Sequence, residues 1–238
     1  MLFLPPPLPI AHGFAVSHHF PPPPLPVIVF DFDGTIADTL DAIVTIANRL
    51  APEFGFTPVN QREVESYRNL NAREVIRRSR IPLVKIPFLI RRVQAELNRE
   101  IQHLNPIIGV MSVLTTLRQR GHRLGIVTSN SSVNVTTFLK KQGLESMFDF
   151  IHSGATLFGK SRIMKQLLAR EGLTPGEIIY VGDETRDIDA AQAVKITMIS
   201  VAWGFNTAET LARHHPDFLI HHPYELLELL DHNRPRFP

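Results

Sequence analysis

The sequence predicts an α/β fold: a Rossmann-like, doubly wound parallel sheet with an all-helical cap inserted into it. Three observations carry this expectation. From residue 27 onward, short apolar and β-branched runs alternate with stretches of helical period, the pattern of a parallel sheet covered on both faces. The alternation stops once, between about residues 38 and 105, where only helical periodicity and turn signals occur. Finally, the first apolar run, Val27-Ile28-Val29-Phe30, ends abruptly in Asp31-Phe32-Asp33-Gly34-Thr35. Open α/β sheets bind their ligands at the carboxyl ends of strands.

The chain has 238 residues, 44% of them hydrophobic and 20% charged, which suits a globular protein with a sizeable core. Residues 1–26 stand apart. They hold nine of the 19 prolines and no Asp, Glu, Lys or Arg. Proline runs such as Pro21-Pro22-Pro23-Pro24 exclude a helix or a central strand, so an extended surface segment is expected. A signal peptide fits poorly, because a basic start is lacking and prolines interrupt the apolar stretch.

The expected strands are Val27–Phe32, Arg123–Thr128, Phe148–Ile151, Ile178–Val181, Thr197–Val201 and Phe218–Ile220. Helical patterns fall at about 110–120, 131–142, 160–171, 186–194, 207–214 and 223–231. In the insertion, Ile43, Ile46, Ala47 and Leu50 share one helical face, and Pro52 is expected to end that helix. Val64, Tyr67 and Leu70 repeat the spacing, and Ile86–Leu104 reads as a longer helix. The domains expected are therefore a proline-rich extension (1–26), an α/β core (27–37 and 106–238) and a helical cap (38–105). Both ends of the cap must lie near Asp31 and Asp33, the geometry of a lid. The apolar run Ile81–Ile90 is read as the core of this cap, with a dimer surface as the alternative.

Several function classes are excluded or disfavoured. The chain has no cysteine, which removes disulfides, thiolate catalysis and Cys-based zinc sites and fits a reducing cytoplasm. The net charge is only +2, and no Lys/Arg block is long enough for a nucleic-acid footprint. Arg77, Arg78, Arg80, Arg91 and Arg92 form a local basic zone, read as a solvated face. No apolar run reaches the roughly 18 residues of a membrane span. A monomer or a homodimer is expected, acting on a small molecule.

The chemistry sits at strand ends. Asp31 and Asp33 point to one side of an extended chain. Two acids there repel and lose solvation unless a cation, a proton or a ligand joins them. The run Leu124–Val127 leads into Thr128-Ser129-Asn130, either an ordinary helix cap or a phosphate-binding turn. Lys160 opens a helix, against the helix dipole. The run Ile178–Val181 leads into Gly182-Asp183-Glu184-Thr185-Arg186-Asp187, with more acids than capping requires. Glu184 is read as pointing to solvent.

Together these resemble the four ordered motifs of the haloacid dehalogenase-like hydrolases. The motifs are Asp31-Phe32-Asp33-Gly34-Thr35, then Thr128-Ser129-Asn130, then Lys160, then Gly182-Asp183 with Asp187. The tail Asp187-Ile188-Asp189-Ala190-Ala191 resembles the phosphoglycolate phosphatase-like branch. The resemblance implies a Mg²⁺-dependent phosphatase acting on a small phosphorylated metabolite. In it, Asp31 would be the nucleophile and Asp33 the general acid and base. The metal would lie among Asp31, Asp33 and Asp183, with Asp187 close by. Thr128 and Lys160 would bind the phosphoryl group, and Gly34, Thr35, Ser129 and Asn130 would line the substrate site. A sugar phosphomutase of the β-phosphoglucomutase kind and a non-catalytic module keeping the fold are the alternatives. Dehalogenation fits less well, because it needs neither Asp33 nor a metal cluster. A phosphonatase would need an activated lysine in the cap. Between two cap helices, the segment Tyr67-Arg68-Asn69-Leu70-Asn71-Ala72-Arg73 is expected to face Asp31 and read the leaving group, with Arg68 or Arg73 binding an anionic part; an exposed inter-helix turn is the alternative.

Overall fold

The computed structural model describes residues 25–154 and 159–232. The proline-rich extension, apart from Leu25 and Pro26, lies outside the described residues. Strand β1 (Val27–Phe30) is followed by four helices: α1 (Leu40–Phe54), α2 (Gln61–Arg68), α3 (Ala72–Ser79) and α4 (Ile86–Glu100). The rest alternates, as α5 (Val110–Gln119), β2 (Leu124–Val127), α6 (Ser132–Gln142), β3 (Phe150–His152), α7 (Lys160–Glu171), β4 (Ile178–Gly182), α8 (Thr185–Val194), β5 (Thr197–Val201), α9 (Ala208–Arg213), β6 (Phe218–Ile220) and α10 (Glu225–His232).

The six strands form one sheet in the order β3-β2-β1-β4-β5-β6, and every pairing is parallel. The order reverses at β1, which pairs with β2 on one side and β4 on the other. That reversal is the switch point where a crevice opens beyond the strand ends. Because strand side chains alternate, Ile28 and Phe30 enter one core layer while Val27 and Val29 enter the other. Burying each such side chain contributes about 1.5–3 kcal/mol, which fixes the register and hence the height of Asp31.

The insertion leaves and re-enters the sheet through a narrow neck. Ala37 bridges to Asp33 and to Pro106, the Asp38 N–H donates to the Asn105 carbonyl at 3.0 Å, and the Ile107 N–H donates to the Ile36 carbonyl at 2.9 Å. Both ends therefore lie beside Asp33.

The structure corrects several local expectations. Strand β1 stops at Phe30, because the Phe32 carbonyl accepts from Ile36 and Ala37 N–H at 2.9 and 3.0 Å and so closes a turn. Pro52 does not end α1, which continues to Phe54 and stops at Gly55. The proline removes one hydrogen bond in the last turn, but Ala51 and Phe54 on either side of it are buried and hold the turn in place. Leu70 lies in a turn beyond α2, and α4 ends at Glu100, followed by a 3₁₀ turn at Ile101–His103. The run Ile81–Ile90 is not a core: Leu83, Val84 and Phe88 are 72%, 75% and 63% exposed. Among the described residues, no helix is long and apolar enough to cross a membrane.

Candidate active site

The ends of β1, β2 and β4 bring Asp31, Thr128 and Asp183 together, and α7 and α8 add Lys160 and Asp187. All five are essentially buried. Asp31 Oδ1 accepts from the Phe32 N–H at 2.8 Å, which turns Oδ2 toward Lys160 Nζ, 2.7 Å away. The same ammonium donates to Asp187 Oδ1. Burial disfavours the charge on Lys160, but Asp187 and Asp31 more than offset it and raise its pKa. Asp187 also accepts from the Glu184 N–H at 3.1 Å, which ties the start of α8 to the cluster.

Asp183 is held from several directions. Thr35 Oγ1 donates to its Oδ1 at 2.6 Å, and the Phe205 N–H donates to its Oδ2 at 2.7 Å. The backbone comes close around it, since a Cβ added at Gly34 or Gly204 would fall 2.3 or 2.2 Å from Asp183 Oδ2. Gly34 also has φ +73°, a conformation that a side chain disfavours. Burial, Glu184, Asp31 and Asp187 together push the Asp183 carboxyl well above its usual range.

Oxygens of Asp31, Asp183 and Asp187 lie within 4.8 Å of one another, a spacing that could hold a metal ion. The donors are all carboxylates in a buried, acid-rich pocket, which suits a hard divalent cation. A cation there would offset the repulsion among the three carboxylates.

Asp33 sits apart from this group. Burial and then Asp31 raise its pKa to about 7, while the Asn130 amide pulls in the opposite direction. Asn130 Nδ2 donates to Asp33 Oδ1 and Oδ2 at 3.0 and 3.1 Å. Thr128 Oγ1 accepts from the Asn130 N–H at 3.0 Å.

The sequence-predicted residues thus divide. Asp31, Asp183, Asp187, Lys160 and Thr128 converge. Thr35 turns to Asp183 and Asn130 turns to Asp33. The Ser129 hydroxyl accepts from Arg186 Nη2 at 3.2 Å. Arg68 does not face Asp31: its guanidinium donates to the carbonyls of Gly204 at 3.0 Å and Phe205 at 3.3 Å. Glu184 pairs with Arg186 instead of pointing to solvent. Arg73 lines a cavity of about 350 Å³ with Asn71, Lys160, Ser161, Arg186 and His214.

Sequence reasoning missed Arg186 and Asn206. Arg186 lies inside the fourth motif, where a basic residue among acids is the available signal. Asn206 accepts from the Thr185 N–H at 2.9 Å and donates to the carbonyls of Arg68 and Leu70 at 2.9 and 3.0 Å. It ties the insertion to the head of α8 and follows no motif.

Residues 28–201 match the haloacid dehalogenase-like hydrolase family. The chain belongs to that family. The phosphoglycolate phosphatase of Synechococcus elongatus is 41% identical over 201 residues, covering 84% of this chain and 95% of the relative. The Vibrio cholerae phosphoglycolate phosphatase is 27% identical over 219 residues, covering 86% and 96%. Among solved structures, a predicted phosphatase from Clostridium acetobutylicum superposes with a TM-score of 0.75 at 18% identity, over 87% of this chain and 100% of the other. A haloacid dehalogenase-like family hydrolase from Streptococcus pneumoniae gives 0.70 at 20% identity, over 87% and 98%. At such low identity the structural likeness speaks for the fold. With the close relative and the acidic cluster, the chain is a phosphoric monoester hydrolase of the phosphoglycolate phosphatase-like kind. Neither the mutase nor the non-catalytic alternative gains support.

Proposed function

We propose that this haloacid dehalogenase-like enzyme is a Mg²⁺-dependent cytoplasmic phosphatase that hydrolyses phosphoglycolate through an aspartyl-phosphate. The observation that carries it is the buried cluster itself: Asp31 ion-paired to Lys160, within metal-ligand spacing of Asp183 and Asp187.

Asp31 attacks phosphorus. A carboxylate oxygen–phosphorus bond forms as the bond to the substrate oxygen breaks. Asp33, raised to about 7, is suited to give a proton to the departing oxygen. It then takes a proton from water, which attacks the aspartyl-phosphate and releases inorganic phosphate and free Asp31. Lys160 pairs with Asp31 and meets the phosphoryl oxygens. Thr128 Oγ1 accepts from the backbone and so keeps its hydroxyl proton for a phosphoryl oxygen. Asp31, Asp183 and the Asp33 carbonyl would hold Mg²⁺, with Asp187 adjacent. When bound, the ion supplies charge neutralisation, which dominates phosphoryl-transfer catalysis.

The helical insertion is the cap over this site. The anionic end of the leaving group falls to the cavity beside Lys160, which Arg73 lines. A carboxylate suits a guanidinium group. The relatives' action on phosphoglycolate supports the same choice. A panel of phosphoglycolate, sugar phosphates, nucleotides and p-nitrophenyl phosphate, assayed with Mg²⁺, tests this. Phosphoglycolate is expected to give the highest kcat/KM, with turnover lost in Asp31→Asn and on chelation. Undiminished turnover in Asp31→Asn would remove the nucleophile assignment, and preference for a sugar phosphate would remove the substrate.

A further inference from the structure

Helix α4 reaches Asp33 through a chain of three side-chain amides. Asn98 Nδ2 donates to Asn134 Oδ1 at 2.8 Å. Asn134 Nδ2 donates to Asn130 Oδ1 at 2.9 Å. Asn130 Nδ2 then donates to both oxygens of Asp33. Asn134 is fully buried and Asn130 is 3% exposed, so water competes little along the inner part of the chain.

Backbone groups fix the orientation of both inner amides. Asn130 Oδ1 also accepts from the Ser131 N–H at 2.7 Å, and a backbone N–H can only donate. Asn134 Nδ2 also donates to the Gln94 carbonyl at 2.9 Å, which can only accept. Neither amide can flip without facing like against like. Every link therefore donates in one direction, from α4 toward Asp33, an arrangement in which successive hydrogen bonds polarise one another. One turn earlier on α4, Gln94 Nε2 donates to the Ser129 carbonyl at 2.6 Å, which pins the loop carrying Asn130.

We infer that Asn98 and Asn134 are positioning residues for the acid and base step, through which the insertion orients the Asp33 carboxyl. The inference rests on Asp33 acting as the acid and base, as proposed above. It assigns to the insertion a part in the chemistry as well as in substrate choice. When α4 sits against α6, Asp33 is aimed by the completed chain. When α4 moves away, Asn134 loses two of its partners and Asn130 is held less firmly.

Asn98 is exposed, so Asn98→Leu should fold. The test compares kcat/KM for phosphoglycolate, whose alkoxide leaving group needs a proton, with that for p-nitrophenyl phosphate, whose leaving group departs as a stable anion. Wild type, Asn98→Leu, Asn130→Ala, the double variant and Asp33→Asn are measured. Asn98→Leu is expected to lose about 5- to 10-fold on phosphoglycolate, the size of one hydrogen bond, and less than about 2-fold on the aryl ester. In the Asn130→Ala background the Asn98 change should cost nothing more, since the two act through one path. Equal losses on both esters, or additive losses in the double variant, would overturn the inference while Asp33→Asn still discriminates strongly between the esters. If Asp33→Asn itself shows no such discrimination, the acid and base assignment falls, and the inference with it.

Discussion

Lys160 Nζ lies 2.7 Å from Asp31 Oδ2, and the same ammonium reaches Asp187, so one buried cation serves two buried carboxylates. Removing it leaves both acids without their counter-charge. Lys160→Met is expected to cost about 3–5 kcal/mol of stability, the usual result of breaking a buried pair from one side. Turnover should fall about 100-fold or more, in line with losing a charge aimed at the reacting group. Thermal denaturation and steady-state kinetics check the two effects separately. A variant that keeps wild-type turnover would show that Lys160 is structural only.

The enclosure of Asp183 gives a prediction about metal affinity. Gly204→Ala drives a Cβ into Asp183 Oδ2, and Thr35→Val removes the 2.6 Å hydrogen bond to Oδ1. Each should raise the Mg²⁺ concentration for half-maximal activity about 10- to 100-fold, as loss of a group orienting a metal ligand commonly does. Saturating Mg²⁺ should restore much of the activity of Thr35→Val. An unchanged Mg²⁺ requirement in both variants would move the metal away from Asp183.

The raised carboxyl groups predict how stability depends on pH. Asp33 at about 7 and Asp187 at about 6 hold protons in the folded chain that the unfolded chain, with carboxyl values near 3.8, has released. Stability of the metal-free protein should therefore fall as pH rises from about 4 to about 7. Mg²⁺ competes with the protons held on Asp183 and Asp187, so the rise in Tm on adding it should grow between pH 5 and pH 8. Calorimetry with and without Mg²⁺ across this range measures it, and a pH-independent increment would contradict the carboxylate site.

Arg68 and Arg73, close in sequence, should behave differently. Arg68 holds the Gly204 and Phe205 carbonyls, and the Phe205 N–H holds Asp183. Arg68→Ala is thus expected to raise the Mg²⁺ requirement about 3- to 10-fold. Arg73→Ala should instead raise KM for phosphoglycolate about 10-fold and leave the Mg²⁺ requirement and the aryl ester unchanged. Mg²⁺ titrations and substrate titrations of the two variants separate the roles. Identical profiles would refute the division.

Much of this was legible in the residues because the sheet is buried on both faces. The runs Thr197–Val201 and Phe218–Ile220 match β5 and β6 residue for residue, the second because Asp217 and His221 close it at both ends. The carboxylates were legible because acids at the mouth of an apolar strand are costly unless they are used. Helix α3 was not separated in the sequence, because it is only eight residues long and buries none of them. Its true signal is the Asn71–Glu74 capping box, matched by Asn60–Glu63 at the start of α2. The partners of Arg68, Asn130 and Glu184 depend on which chain segments meet in space. Spacing marked these residues as polar without saying what they touch.

The neck at Ala37, Asp38, Asn105 and Pro106 brings both ends of residues 38–105 to one point beside Asp33. Tethered there, the segment is also pinned to the rest of the chain where Arg68 meets the Gly204 and Phe205 carbonyls, where Gln94 meets Ser129 and where Asn98 meets Asn134. A foreign helical segment grafted at the same two points would have to bring those anchors with it, so selectivity and phosphoryl chemistry are inherited together.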